Sequence, residues 1–180
     1  MKKLDPPPVS LLDRYVGSEF QPIYETRITV AGGQAHHGRA SGSARSDDGE
    51  LDLDLRLPAA MGGPGGGTNP EQLFAAAYAA SFHGVMNLLA IKHHLSIVEN
   101  SVEVKLVFGR DPMDGRHTLR ADVTARLPGV DPKLAEELVR STERICPYAK
   151  MVRHGIENFV VVVVETETGE VSDGVTGSAS

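Results

Sequence analysis

Two residues that lie far apart in the chain have side chains suited to nucleophilic or redox chemistry. Ser81 lies in the middle of an apolar segment, and Cys146, the single cysteine, follows it after 146 − 81 = 65 positions. A nucleophilic serine needs an adjacent base. His83, two residues on, would point to another side of a helix. The alternative for Ser81 is a small residue at a helix crossing, whose hydroxyl bonds to the carbonyl one turn back.

Cys146 stands directly before Pro147, which cannot continue a preceding helix. If Pro147 opens a short helix, Cys146 is its N-cap, where the amide dipoles favour a thiolate. The C-terminus of the preceding helix acts in the opposite direction, so the sequence leaves the sign of the net effect open. The alternative is a small buried hydrophobic residue. A lone cysteine cannot form an internal disulfide, so we expect a reducing, cytoplasmic environment.

Other kinds of site have weaker support in the sequence. The glycine-rich stretch from Gly62 to Thr68 has the spacing of a phosphate loop, but it lacks the lysine that meets the phosphates. The histidines show no metal-ligand spacing and have no cysteine or carboxylate to complete a set. We therefore expect no metal and no cofactor. The histidines are His36, His37, His83, His93, His94, His117 and His154.

Composition narrows the class of protein. The chain has 180 residues, of which 41% are hydrophobic and 23% charged, and its net charge is −6. These values are typical of a soluble globular domain, and the acidic balance argues against nucleic-acid binding. We expect no membrane span, since no apolar run approaches the roughly 20 residues that a membrane helix needs. The N-terminus lacks the apolar segment of a signal peptide.

Strand and turn patterns fall into an N-terminal and a C-terminal group. Alternating polarity over residues 51–57 places four leucines on one side and Asp52, Asp54 and Arg56 on the other. The turn before it, at residues 47–50, predicts a hairpin. The remaining strands are predicted at residues 23–30, 39–46, 101–110, 117–127 and 158–165.

Two long helices are predicted, one beginning after Asn69 and one after Asp131, each with proline in its first turn. A short third helix should end at Gly155. In the first helix, small and apolar residues recur at helical spacing and predict a closely packed face that buries Ser81. These residues are Leu73, Ala77, Ala80, Ser81, Gly84 and Leu88. In the second helix, the apolar face is predicted to contain Leu134, Leu138 and Ile145.

The elements predict an α+β fold in which two long helices pack together against antiparallel sheet. Residues 1–20 hold three consecutive prolines and read as an N-terminal arm, with a helical turn at residues 10–14. Residues 21–165 form the domain. Residues 166–180 are rich in Gly, Ser, Thr and acidic residues, and we expect a disordered tail.

The chain resembles the OsmC/Ohr family, most closely its Ohr branch, over about residues 23–165. The segments that carry the resemblance are "GGGTNPEQLFAAAYAASF", "ICPYAK", the turn at residues 31–39 and "DDGELDLDL". The resemblance implies an intertwined homodimer with active sites at the subunit interface. It also implies a peroxidase that reduces organic hydroperoxides with thiols, draws on a dithiol (lipoyl) reductant and needs no prosthetic group.

The resemblance assigns roles residue by residue. Ser81 stands where the Ohr branch has its peroxidatic cysteine, and Cys146 matches the second, resolving cysteine. Glu71 matches the glutamate that holds an activating arginine. At the place of that arginine the chain has Gln34, two residues appear inserted, and only Arg39 survives in the turn.

The serine changes the chemistry, because a hydroxyl is not ionised at neutral pH and oxygen has no oxidation ladder comparable to that of sulfur. Natural divergence and a deliberate cysteine-to-serine change both explain it. Two hypotheses follow. In the first, the protein is a peroxidase that works with Cys146 alone. In the second, it is a non-catalytic relative that holds an acyl or other hydrophobic small molecule in a pocket lined by Leu73, Phe74, Tyr78, Phe82, Met86 and Tyr148. In both, we expect an obligate homodimer.

Overall fold

The computed structural model describes residues 9–34, 41–155, 160–165 and 171–176. The described strands form three antiparallel sheets, and three helices lie between them in the chain. This arrangement confirms the predicted α+β class. The long helices pack against each other and the first of them packs on the central hairpin.

The N-terminal sheet has the order β1 (Ile28–Ala31), β2 (Gly42–Ser46) and β3 (Asp52–Leu55). Each of these strands is shorter than predicted. The leucine pattern is confirmed, since Leu55 is buried while Asp52 and Asp54 are exposed. The Ser46 hydroxyl donates to Asp48 in the β2–β3 turn and holds the pKa of that carboxyl below its ordinary value, as does the backbone N–H of Glu50.

Helix α1 (Pro70–Lys92) begins as the sequence predicts. Asn69 is 5% exposed, and its Oδ1 accepts from the Gln72 backbone N–H at 2.9 Å. Pro70 occupies a position where the missing N–H has no intrahelical acceptor.

Within the single chain, the face of α1 that is buried differs from the predicted one. Ala80 and Gly84 are exposed, and Ser81 is half-buried. The helix is apolar on almost every side, so its pattern does not single out one face. The largest side chains turn inward because each removes more apolar surface from water. The buried residues are Tyr78, Phe82, Met86, Leu89 and Ala90.

Alanine and glycine make α1 more apolar than a search for uninterrupted hydrophobic runs suggests. Over 18 residues its mean hydropathy reaches 1.4, so by length and composition alone it could cross a membrane. The expectation that no segment comes close is therefore wrong. Core helices of soluble proteins also meet this criterion, and α1 packs on β4 and α2 within the chain.

The central hairpin pairs β4 (Ser101–Arg110) with β5 (His117–Arg126), as predicted. Val104 lies opposite Val123 in this register. Burial alternates along both strands, so one face carries valines and alanines toward the helices and the other is exposed. Because of this alternation, the two long helices pack on the same apolar face of the hairpin.

Helix α2 (Pro132–Ile145) is capped by Asp131, whose Oδ1 accepts from the N–H groups of Lys133 and Leu134. Helix α3 (Pro147–His154) follows at once and ends at Gly155. Leu138 is buried, but Leu134 and Ile145 are 44% and 42% exposed, which contradicts their predicted place in the core. The chain turns at Cys146 and Pro147, and Ile145 lies on the outer side of the corner between the two helices.

At the N-terminal end, a 3₁₀ turn spans Val9–Leu12, which overlaps the helical turn predicted at residues 10–14. Leu12 packs against the core of its own chain. The C-terminal end differs from the prediction. Strand β7 (Val171–Thr176) pairs antiparallel with β6 (Val160–Glu165), so the expectation of disorder is wrong for these six residues. Pairing satisfies backbone groups of the valine-rich β6, which composition alone does not reveal. The remaining tail residues lie outside the described part.

Replacing Asn69 by Ala removes the acceptor for the Gln72 N–H at the buried start of α1. We expect the free energy of unfolding to fall by about 1 kcal/mol, measured by urea denaturation. Asn69→Ser keeps a capping oxygen and should recover most of that loss. Equal stability of the Ala variant and the parent would show that the cap contributes nothing.

Candidate functional site

The two residues that the sequence singles out meet in space. The Ser81 Oγ lies 3.5 Å from the Cys146 Sγ, across 65 positions of chain, and either atom can donate. Ser81 comes from the middle of α1 and Cys146 from the corner between α2 and α3. This contact depends on helix packing, because no local turn connects the two segments.

Cys146 ends one helix and begins the next, as predicted. Its backbone N–H donates to the Thr142 carbonyl at 2.8 Å, and its carbonyl accepts from the Lys150 N–H at 3.0 Å. Thr142 has no exposed surface, and its hydroxyl donates to the Leu138 carbonyl. The backbone at Cys146 is therefore held from both sides, which fixes the direction of its side chain.

The Cys146 side chain is fully enclosed, with 0% of its surface exposed. It packs in one cluster with Tyr78, Phe82 and Ala149. Tyr78 stacks on Tyr148 with ring centroids 6.3 Å apart and meets Phe82 edge to face at 6.4 Å. The sulfur thus lies in an apolar, aromatic environment in which Ser81 is a polar neighbour.

Tyr78 links this cluster to nearby charges. Burial raises the pKa of the Tyr78 hydroxyl above its ordinary value, and nearby Cys146 and Glu143 raise it further. Arg153 acts in the opposite direction and lowers it. The neutral phenol is therefore favoured, which suits a ring that forms part of an apolar wall.

An ion pair connects α2 and α3 across the corner at which Cys146 lies. Arg153, in the last turn of α3, donates from Nη1 to the Glu143 carbonyl at 3.0 Å and to the Glu143 carboxylate at 3.2 Å. Glu143 lies three residues before Cys146, and Arg153 lies seven after it. The two bonds join the end of α2 to the end of α3 across the corner.

A pocket of about 310 Å³ opens beside this corner, between α1, β5, α2 and α3. Of the six residues predicted to line a ligand pocket, Tyr78 and Phe82 line this one. Met86 has no exposed surface and packs in a separate core cluster. The full set of lining residues is Tyr78, Phe82, Ala121, Val123, Val139, Glu143, Ala149, Val152 and Arg153.

The structure says less about the other predicted site residues. Glu71 lies in the first turn of α1 and is half-buried. Arg39 lies outside the described residues. The Gln34 backbone N–H donates to the Ser41 hydroxyl at 3.0 Å, beside a larger cleft of about 620 Å³ that neither Ser81 nor Cys146 lines. The roles that the resemblance gives Glu71 and Arg39 remain predictions.

Metal binding finds no support in the part of the chain that the structure describes. There, no three histidine, cysteine or acidic side chains come together as a ligand set. His36 and His37 lie outside the described residues.

Sequence reasoning did not single out Glu143 and Thr142. Both lie on α2 within one turn of Cys146. Pro147 was the signal in the sequence that could have identified this region. A turn at Pro147 brings residues before it close to residues after it, and Glu143 and Arg153 are such a pair.

Comparison with known proteins identifies a matching family model and relatives of similar sequence. The family model of OsmC-like proteins matches residues 63–158. An organic hydroperoxide resistance protein of Xanthomonas axonopodis pv. citri is 36% identical over 144 residues, which cover 79% of this chain and 96% of that protein. OhrB of Bacillus subtilis is 33% identical over 135 residues, which cover 75% and 94%.

Solved structures agree with the sequence comparisons. An organic hydroperoxide resistance protein from Legionella pneumophila matches with a TM-score of 0.66 and 33% identity, over 75% of this chain and 93% of that one. The structure of Bacillus subtilis OhrB matches with a TM-score of 0.62 and 34% identity, over 73% and 92%. Sequence, family model and fold agree, and the chain belongs to the OsmC/Ohr family.

Proposed function

We propose that this protein is a thiol-dependent reductase of organic hydroperoxides that works with one cysteine, Cys146. The 3.5 Å contact between Ser81 Oγ and Cys146 Sγ carries the proposal, because it joins the two positions at which the resemblance expects a redox pair. The relatives named for organic hydroperoxide resistance support the substrate class. A reducing cytoplasm would supply the thiols that the reaction consumes.

The proposed reaction has two stages. The Cys146 thiolate attacks the terminal oxygen of the hydroperoxide. An S–O bond forms, the O–O bond breaks, and the organic part leaves as an alcohol after taking up a proton. The sulfenic acid is then attacked by one thiol of an external dithiol, which releases water and forms a mixed disulfide. The second thiol of the reductant then attacks the mixed disulfide. This releases the Cys146 thiol and converts the reductant to a cyclic disulfide, so the dithiol supplies both electrons.

Ser81 takes the part of a hydrogen-bond partner in this scheme. A hydroxyl 3.5 Å from the sulfur can donate to a thiolate or to the oxygen of a sulfenic acid. Serine cannot itself attack the O–O bond or close a disulfide with Cys146. The external thiol must therefore perform the step that a second cysteine performs within the chain elsewhere in the Ohr branch.

The acyl-binding alternative has less support. Of its six predicted lining residues, only Tyr78 and Phe82 line the pocket beside Cys146, and Met86 is enclosed in the core.

Turnover provides the first test. With cumene hydroperoxide and dihydrolipoamide, the protein should consume both at equal rates, and Cys146→Ser should abolish this consumption. The loss follows because sulfur is the atom that is oxidised. The assay follows alcohol formation and dithiol loss in parallel. Absence of turnover in the parent protein, or its persistence in Cys146→Ser, would rule out the proposed reaction.

Restoring a thiol at position 81 provides the second test. In Ser81→Cys, mild oxidation should join the introduced thiol to Cys146, lowering the titratable thiols from two to none, because the side chains already touch. Hydroperoxide turnover should rise by about tenfold or more, since attack and resolution then occur within one chain. Mass spectrometry and thiol counting check the bond. Two free thiols after oxidation would show that these positions are not the counterparts of the family's redox pair.

We also propose that the protein is an obligate homodimer. Exposed Ala80 and Gly84 form a small-residue surface on α1, where another backbone can come close. Large apolar side chains also remain exposed in the single chain, among them Ile91, Val107 and Leu119. A second copy that covers these surfaces would bury more than about 2,000 Å², as obligate dimers do.

Gly84 allows the dimer to be tested apart from the fold of one subunit. A Cβ at Gly84 meets no described atom within 4 Å, so a side chain fits the isolated chain. We expect Gly84→Arg to break the dimer, because it places a charge in an apolar contact, whereas Gly84→Ala should stay dimeric. Sedimentation velocity measures the masses, and circular dichroism checks the helices. A parent protein that is monomeric at micromolar concentration would contradict the proposal.

A further inference from the structure

The proposed chemistry needs a route to the sulfur, and the described structure shows none that is open. Cys146 has 0% exposed surface. A hydroperoxide must bring its terminal oxygen into contact with the sulfur, in line with the bond that breaks. Some part of the enclosure therefore moves when the thiol reacts.

The pocket of about 310 Å³ lies directly behind one wall of this enclosure. Tyr78, Phe82 and Ala149 line the pocket and also pack in the same cluster as Cys146. These three side chains thus separate the pocket from the thiol, and none of them is charged. A rotation of an aromatic ring in this wall requires no ion pair or buried hydrogen bond to break.

The ion pair at the corner lies on the same pocket. Glu143 and Arg153 both line it, and their two bonds tie together the ends of the helices that meet at Cys146. In the single chain, the side chain of Arg153 is 35% exposed and that of Glu143 is 54% exposed, so the pair can break there without leaving a buried charge unpaired. Its breaking would let α3 swing from α2 and widen the pocket toward the sulfur.

We propose that this pocket is the entry route for the reactant of Cys146, and that the bonds between Arg153 and Glu143 hold the route closed. The proposal deepens the proposed function, on which its biological meaning rests, because it specifies how a substrate reaches the thiol. Arg153 is a positioning residue in this scheme, since it acts through the α2–α3 corner and not on the reacting atoms.

The lining of the pocket determines what enters. Its floor consists of alanine, valine and aromatic side chains, and its charged residues neutralise each other. A small, neutral, largely apolar molecule is favoured, because an ionised one would lose hydration without an unpaired counter-charge. The route should therefore select compact neutral electrophiles over anionic ones of the same size.

Alkylation of Cys146 tests the route without requiring any peroxidase activity. N-phenylmaleimide and N-(2-carboxyethyl)maleimide carry the same reactive group, one on an apolar body and one on an anionic body. We expect the apolar reagent to modify the full-length protein about tenfold faster, relative to their rates with a free thiol. Intact-mass spectrometry over time gives both rates.

Two alanines on the same face of β5 provide matched variants. Ala121 lines the pocket, whereas Ala125 lines the neighbouring cleft against α2, and both are half-buried. Ala121→Leu should slow N-phenylmaleimide by about fivefold, because the added carbons occupy pocket volume. Ala125→Leu adds the same group elsewhere and should leave the rate within about twofold of the parent.

The ion pair has its own control. Arg153→Met removes both bonds across the corner and should raise the N-phenylmaleimide rate by about fivefold, while Arg153→Lys should restore part of the closure. Arg140→Met removes the same charge and breaks an ion pair with Glu136 within α2, more exposed and away from the corner, and should not change the rate. Urea denaturation of every variant separates corner opening from general loss of stability.

Several results would overturn the proposal. One is equal alkylation rates in Ala121→Leu and Ala125→Leu. Another is an N-phenylmaleimide rate in Arg153→Met that is unchanged, or that rises only in proportion to its loss of stability. A third is Ser81→Val slowing both reagents while Ala121→Leu slows neither, which would place the entry on the side of Ser81. Each result concerns access alone, whereas failure of the proposed function would show in the turnover assay.

Discussion

The packing of the α2–α3 corner against Tyr78 and Phe82 of α1 is the contact on which the rest of the site depends. It encloses Cys146, brings Ser81 to the sulfur and forms one wall of the pocket. Two buried aromatic side chains remove roughly 150–250 Å² each from water, worth several kcal/mol together at about 25 cal/mol per Å². No hydrogen bond or ion pair at the corner approaches this contribution, so apolar burial sets the position of the helices and the polar bonds adjust the corner within it.

Local signals in the sequence predicted those features that depend on nearby residues. Asn69 before Pro70, Asp131 before Pro132 and Cys146 before Pro147 each begin a helix as expected, because capping and the geometry of proline act over a few residues. The central hairpin was predicted correctly for the same reason, because polar and apolar residues alternate along both of its strands. The meeting of Ser81 with Cys146 was expected only through the family resemblance, which carries tertiary information that residue patterns do not.

Features that depend on distant packing were predicted poorly. The buried face of α1 was predicted incorrectly because alanines lie on nearly every side of the helix. The sheet on which the helix packs then determines which face is buried. Ile145 looked like a core residue by its spacing, yet the turn at Pro147 leaves it outside the corner. Strand β7 contains polar residues and a glycine, and its order depends on pairing with β6. In each case the deciding partner lies far away in the sequence.

Under the proposed reaction, a serine in place of a cysteine at position 81 would keep the shape of the site and remove one of the two thiols of a redox pair. The hydroxyl is close to a thiol in size, so the packing around Tyr78 and Cys146 needs no rearrangement. Such a site would lack the ability to store oxidation as a disulfide within the chain, which protects a sulfenic acid from further oxidation. Enclosure offers another form of protection, because a fully buried sulfur meets a second oxidant only when its wall opens. A single-cysteine site thus gains more from a closed pocket than a paired site does. The same closure would slow the approach of the external thiol that the proposed reaction requires. The aromatic wall and the solvent-facing ion pair between Arg153 and Glu143 suit this compromise, since neither requires a buried charge to be exposed when the site opens.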